Sequence, residues 1–109
     1  MILESDVEKA VAYLANNARK AAQARAEREY CDEYRKVIKA TIMREHGELA
    51  LGAQEREAYA DPRYLMHLTA IKDAVEADEY HRWMMSAAQA KLSAFQTQTR
   101  IHRTQDAIR

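Results

Sequence analysis

The stretch "GELALGAQEREAYADP", residues 47–62, decides how this chain folds, because it contains both glycines and the only proline among 109 residues. Outside it, the chain lacks the residues that most readily end a helix or turn the backbone. Alanine, glutamate, arginine and lysine dominate on both sides, and all four favour helices. We therefore predict an all-α protein in which two long helices meet at residues 47–62.

The first helix has recognisable start and stop signals. Ser5 and Glu8 have the spacing of a capping box, in which a hydroxyl and a carboxylate satisfy the first free backbone N–H groups. Gly47 is suited to the position just after a helix. These signals predict a first helix over residues 6–46.

The second half of the chain starts with an equally clear signal. A short helix is predicted over residues 53–60. Asp61 can cap the next helix, with Pro62 at its first position, where the missing N–H is not needed. A third helix is predicted over residues 62–104. We therefore predict that residues 1–109 form a single domain, a long antiparallel helical hairpin with a short connecting helix.

Apolar and small residues recur along both long helices. In the first helix they are Val7, Val11, Leu14, Ala18, Ala22, Ala26, Tyr30, Tyr34, Ile38 and Ile42. In the third they are Leu65, Leu68, Ile71, Val75, Trp83, Ala87, Ala90, Ala94 and Ile101, flanked by Phe95. The first stripe advances by about 3.9 residues per step, against 3.6 for an ideal helix. It indicates either one irregular core or two partners, and we predict two: the hairpin and a neighbouring subunit.

Self-association is also expected from size, because two helices alone bury a modest fraction of their surface. Trp83, which two methionines follow, is either an exposed docking patch or part of the core. The sequence favours the core.

The basic residues suggest a second role. Net charge is zero, with 17 bases and 17 acids, yet residues 35–44 hold four bases and no acid. The candidate nucleic-acid-binding residues are Arg25, Arg28, Arg35, Lys36 and Lys39. On a helical wheel they share one sector, whose spacing suits a phosphate backbone. A solvated helix face explains the same pattern.

Arg25 and Arg28 also fall level with Asp78 and Glu79 across the hairpin, where opposite charges would fix the register.

Chemistry of other kinds has little support. Cys31 is the only cysteine, so no internal disulfide forms, and a reducing cytoplasm is expected. Asp78 and His81 have the spacing of a metal-ligand pair, but a second pair is missing. No glycine-rich loop or catalytic triad pattern occurs. We expect no enzymatic activity, no cofactor and no metal, and the absence of a long apolar run predicts no membrane span.

Two stretches resemble the UvsY family of bacteriophage recombination mediators. They are the alanine- and arginine-rich helix leading into "EYRKVIKATIM", residues 33–43, and the stretch "AQEREAYADPRYLMHLTAIKDAVEADEYHRW", residues 53–83. The resemblance covers about 80 residues as helical pattern and scattered identities. It implies a non-enzymatic accessory protein in the cytoplasm of a bacterial host, which forms ring-like homo-oligomers and binds single-stranded DNA. It also implies a recombinase and a single-strand-binding protein as partners.

The same resemblance places roles on particular residues. It implies that the principal DNA contacts come from Arg35, Lys36 and Lys39. It implies an oligomer interface in residues 83–105, which we assign to Trp83, Ala87, Ala90, Ala94, Phe95 and Ile101. The chain is shorter than the family pattern and carries Asp32 among its bases. The alternative function is a helical coiled-coil interaction or structural adaptor that binds no nucleic acid.

Overall fold

The protein, in a computed structural model that describes residues 1–108, consists of three helices. They are α1 (Glu4–Glu45), α2 (Leu51–Ala60) and α3 (Pro62–Ile108). No strand occurs in these residues. The predicted all-α hairpin with a short connecting helix is confirmed, and every helix boundary lies within four residues of its predicted position.

The chain forms two compact units. The connector unit comprises residues 22–79 and contains α2. The terminal unit comprises residues 1–21 together with α3 from Tyr80 onward. That residues 1–109 act as one domain stays a prediction.

The start and end of α1 differ from the sequence prediction. The Asp6 carboxylate, rather than that of Glu8, accepts the Leu3 N–H at 3.0 Å, so the helix begins before Ser5. The capping box at Ser5 is therefore wrong. At the other end, Gly47 does not adopt the left-handed conformation that its predicted role requires, since none of the described glycines has a positive φ. A tight turn replaces it.

The start of α3 follows the prediction. The Asp61 carboxylate accepts the Arg63 N–H at 2.8 Å, and Pro62 occupies the first helical position. α2 begins at Leu51 and so includes Gly52, two residues before its predicted start. Its Ala50 cap has no side-chain hydrogen bond.

The residues between α1 and α3 repeat with alternating steps of three and four, the heptad pattern of a coiled coil. We call them the inner seam, and all of them are buried or half-buried. On α1 they are Val7, Ala10, Leu14, Asn17, Ala21, Ala24, Arg28, Cys31, Arg35, Ile38 and Ile42. On α3 they are Tyr64, His67, Ile71, Ala74, Asp78, His81, Met85, Ala88, Leu92 and Phe95. Most of the predicted apolar stripe of α3 lies elsewhere, so that prediction is wrong for the core.

The best-packed region lies in the connector unit, where all three helices meet. Ile42 and Ala58 are fully buried there, and Tyr64 is 7% exposed. Arg63 ties the same corner together by hydrogen bonds to Glu45 and Asp61. These bonds lower the pKa of both carboxyls. The connection is therefore held by a small apolar core with an ionic network on its surface.

A polar layer crosses the connector unit at the level that the sequence predicted. One Arg28 nitrogen donates to Asp78 and to Glu79, at 3.1 Å each. The hydrogen bonds to Glu79 and Asp78 raise the pKa of Arg28. Arg25 does not join this layer and pairs with Glu29 one turn away. A charged contact at a core position specifies register, because a shifted alignment would leave the charges unpaired.

Candidate interaction surfaces

The structure divides the five candidate nucleic-acid-binding residues among different environments. Arg28 and Arg35 both lie at half-buried inner-seam positions, and Arg28 binds Asp78 and Glu79 of α3. Arg35 is 40% exposed, has a buried Nε without a hydrogen-bond partner, and lies 3.7 Å from Asp32. These two bases are therefore not part of one open basic face.

Lys39 serves the contact between α1 and α2. Its ammonium donates to the Tyr59 hydroxyl at 2.8 Å and lies 3.8 Å from Glu55. The Tyr59 hydrogen bond is the main reason that the pKa of Lys39 is raised. Only 29% of its side chain is exposed, so its chief visible role is structural.

Arg25 and Lys36 are the exposed members of the set. Arg25 pairs with Glu29 at 3.2 Å, and Lys36 pairs with Glu33 at 3.3 Å. Pairs this exposed contribute roughly 0–1 kcal/mol, so a phosphate could replace either acid. The surroundings oppose a polyanion, however, since residues 22–79 carry 13 acids against nine bases.

Aromatic residues form an exposed face beside these bases. The rings of Tyr30 and Tyr34 stack with centroids 5.8 Å apart and planes 15° apart. Tyr30 is 63% exposed and Tyr34 is 41% exposed. Val37 continues the face one turn further along α1. Both tyrosines lie outside the inner seam, which passes through the neighbouring positions Cys31 and Arg35.

The largest exposed apolar feature of the terminal unit is a second heptad pattern on α3, which we call the outer seam. Its nine members, all exposed, are Tyr80, Trp83, Ala87, Ala90, Ala94, Thr97, Ile101, Thr104 and Ile108. Each outer-seam residue from Trp83 to Thr97 follows an inner-seam residue by two positions. Ile101 likewise follows Thr99, where the spacing of the inner seam continues. Two residues correspond to a rotation of about 200°, so the two seams lie on opposite sides of α3.

The outer seam brings together five of the six predicted interface residues. Trp83 is 65% exposed and Ile101 is 53% exposed, with the three predicted alanines between them. The expectation that Trp83 lies in the core is thus wrong. Phe95 differs, because it is half-buried and continues the spacing of the inner seam. The Arg82 guanidinium covers part of the Trp83 ring, 5.3 Å from its centroid.

No catalytic or metal-binding arrangement is visible in residues 1–108. No three His, Cys, Asp or Glu side chains there are grouped to hold a metal ion. Burial, together with a hydrogen bond to Glu27, raises the pKa of the Cys31 thiol, the opposite of what activates a nucleophile. None of the described helices is both long and apolar enough to cross a membrane.

Comparisons with protein-family models, curated proteins and solved structures found no match. The resemblance to the UvsY family therefore rests on the sequence pattern alone and stays a prediction. What this protein does has to be argued from its own surfaces.

Proposed function

We propose that this protein is a non-enzymatic helical interaction module that works by assembling with copies of itself. The observation that carries the proposal is the outer seam, a heptad pattern of nine exposed residues on the side of α3 opposite α1. In an isolated chain that pattern contributes nothing to stability. In an assembly it buries large apolar side chains, which is the dominant favourable term in association.

The composition of the seam supports this role. Heptad spacing sustained over four turns or more is the pattern by which helices pair in coiled coils. Alanine at three consecutive positions allows two helix backbones to approach closely, while Trp83 and Ile101 on either side supply apolar area. Scattered exposed apolar residues are normal on any protein, but a regular row of them on one helix face is typical of an interface.

A matched pair of variants tests the proposal. Ala90→Glu places a carboxylate in the outer seam, whereas Gln89→Glu adds the same charge at an exposed position beside it. Sedimentation velocity over a wide concentration range should show oligomers for the unmodified protein and for Gln89→Glu, and monomers for Ala90→Glu. Oligomers of equal strength in all three proteins would show that assembly uses another surface. Circular dichroism on each variant establishes that helicity is retained.

Single-stranded DNA binding, as in a recombination mediator that helps load a recombinase, is the second candidate. The stacked, exposed Tyr30–Tyr34 pair favours it, because aromatic faces on which bases can stack are common in such proteins. Arg25 and Lys36 lie on the same helix, and their exposed ion pairs with Glu29 and Glu33 are weak. The excess of acids in residues 22–79 is the main argument against it.

Fluorescence anisotropy with a labelled oligonucleotide tests this second candidate. Binding through phosphates should weaken steeply as salt rises. Reversal of Arg25 and Lys36 to Glu should abolish binding, and Tyr30→Ala should weaken it without changing the salt dependence. The matched control is Lys72→Glu, an exposed reversal on α3 of the same unit. Unchanged binding by the Arg25 and Lys36 variant would remove these residues from the account.

A further inference from the structure

We propose that the outer seam binds the outer seam of a second copy in antiparallel orientation, with Trp83 of each copy against Ile101 of the other. This inference rests on the proposed self-assembly and adds the occupant, its direction and its register. The pairing is two-fold symmetric, so it closes at two copies.

The seam is long enough for a dimer contact. With Trp83 opposite Ile101, the two seams overlap from Tyr80 to Thr104, about 36 Å at 1.5 Å per residue. A strip of that length and about 10 Å wide covers about 360 Å² in projection per copy, and corrugation by side chains raises its accessible area towards the roughly 800 Å² per partner of a standard interface. Tyr80, Trp83 and Ile101 are each more than half exposed and supply most of the apolar part.

Side-chain size favours the antiparallel direction. In a parallel pair in register, each residue meets its own counterpart, so Trp83 would face Trp83 immediately beside the alanine layers. Two tryptophans would separate the helices where the alanines require them to be close. In an antiparallel pair, each Trp83 meets a smaller side chain, and one helix separation suits the whole seam.

The register follows from keeping the small residues together. A heptad has two core positions, a and d. In antiparallel coiled coils, position a of one helix faces position d of the other. If Trp83 faces Ile101, then Ala87 faces Thr97 and Ala90 faces Ala94. The small layers are then continuous at the centre, and one bulky layer lies on either side. A shift by one heptad places Ile101 against Ala90 and breaks this arrangement.

Charge also favours this direction. From Arg82 to Ile108 α3 carries four bases and one acid. A parallel pair would place every base level with its own counterpart, whereas the antiparallel pair places Arg100 level with Met84. Lys91 is the exception, because it lies near the two-fold axis beside its own counterpart. Association should therefore tighten when Lys91 is replaced by Gln.

Disulfide trapping tests both direction and register. The full chain with Cys31→Ala carries either Ala90→Cys or Ala94→Cys, and each is oxidised mildly alone and in an equimolar mixture. Opposed alanine positions in the proposed register can meet the Cα separation of a disulfide, about 4.4–6.8 Å, whereas each position and its own counterpart are further apart. Disulfide dimers should form in the mixture and be absent from either variant alone.

Each outcome has one meaning. Dimers from each variant alone would establish a parallel pair and overturn the inference while preserving self-assembly. No trapping in a protein that sediments as an oligomer would place the contact elsewhere and also overturn it. A monomer at every concentration would refute the proposed function itself. Arg100→Gln gives an independent check, since a parallel pair predicts tightening there, whereas the antiparallel pair, which places Arg100 level with Met84, predicts none.

Discussion

Replacement of Ile42 by alanine should destabilise the protein strongly, because Ile42 is the only large side chain in residues 1–108 that is fully buried. It lies where α1 meets Ala58 of α2 and Tyr64 of α3. Burial losses of this kind range over about 2–5 kcal/mol. The surrounding cluster is small and can partly collapse into the cavity, so we expect about 2–3 kcal/mol, in the lower half of that range.

The measurement is urea unfolding followed by circular dichroism at one fixed protein concentration, because association would add to apparent stability. A loss of this size should lower the urea midpoint by about 1–2 M. Ile42→Val should cost about 0.5–1.5 kcal/mol. Val37→Ala, on the same helix at a site 51% exposed, should change stability by less than about 0.5 kcal/mol. If Ile42→Ala cost no more than Val37→Ala, the three-helix corner would not be the core of the connector unit.

Three further predictions concern charged groups and the thiol. Arg63 lowers the pKa of the Glu45 and Asp61 carboxyls. Their contribution to the free energy of unfolding is therefore complete above their ordinary pKa values and is lost as pH falls through the lowered values. Urea midpoints measured from pH 7 to pH 2 should therefore fall less for Arg63→Gln than for the unmodified protein, and parallel curves would contradict this. Arg28→Asp should lower the urea midpoint and Asp78→Arg should partly restore it in the double variant; no restoration would mean that the polar layer does not act as a pair. Cys31 is 7% exposed with a raised pKa, so a thiol reagent should label it far more slowly in the folded than in the unfolded protein, and equal rates would contradict its burial.

The hairpin itself was predictable because its signals are local. Both glycines and the proline lie within 16 residues, and Asp61 with Pro62 marks the start of α3 to the residue. The start of α1 was less predictable, because Ser5 and Asp6 both suit a helix start. The choice depends on which side chain reaches the free N–H of Leu3.

The inner seam was missed because several of its members are polar. Asn17, Arg28 and Arg35 interrupt the apolar pattern of α1, so the apolar residues alone suggested a stripe with too long a period. Polar residues at core positions are tolerated where a partner across the seam satisfies them, as Asp78 does for Arg28. Such a partner is distant in sequence, and only the folded chain shows it.

The candidate surfaces were likewise predictable only in part from the sequence. A helical wheel placed five bases in one sector, but it has no information on which side of that sector faces α3 or α2. Arg28 and Lys39 consequently contact α3 and α2, whereas Arg35 is half-buried and lies near Asp32 of its own helix. The membership of the outer seam was largely predictable, because its residues share one heptad spacing along α3. No other helix of the described chain packs against these positions.

The most direct test of the account is the accessibility of Trp83, the only tryptophan, measured by acrylamide quenching of its fluorescence over a wide range of protein concentration. In a single chain its side chain is 65% exposed. If copies pair through the outer seam, quenching should fall and the emission should shift to the blue as concentration rises, and Ala90→Glu should abolish both changes. Quenching that stays high while the protein sediments as an oligomer would contradict the central claim that α3 assembles through this face.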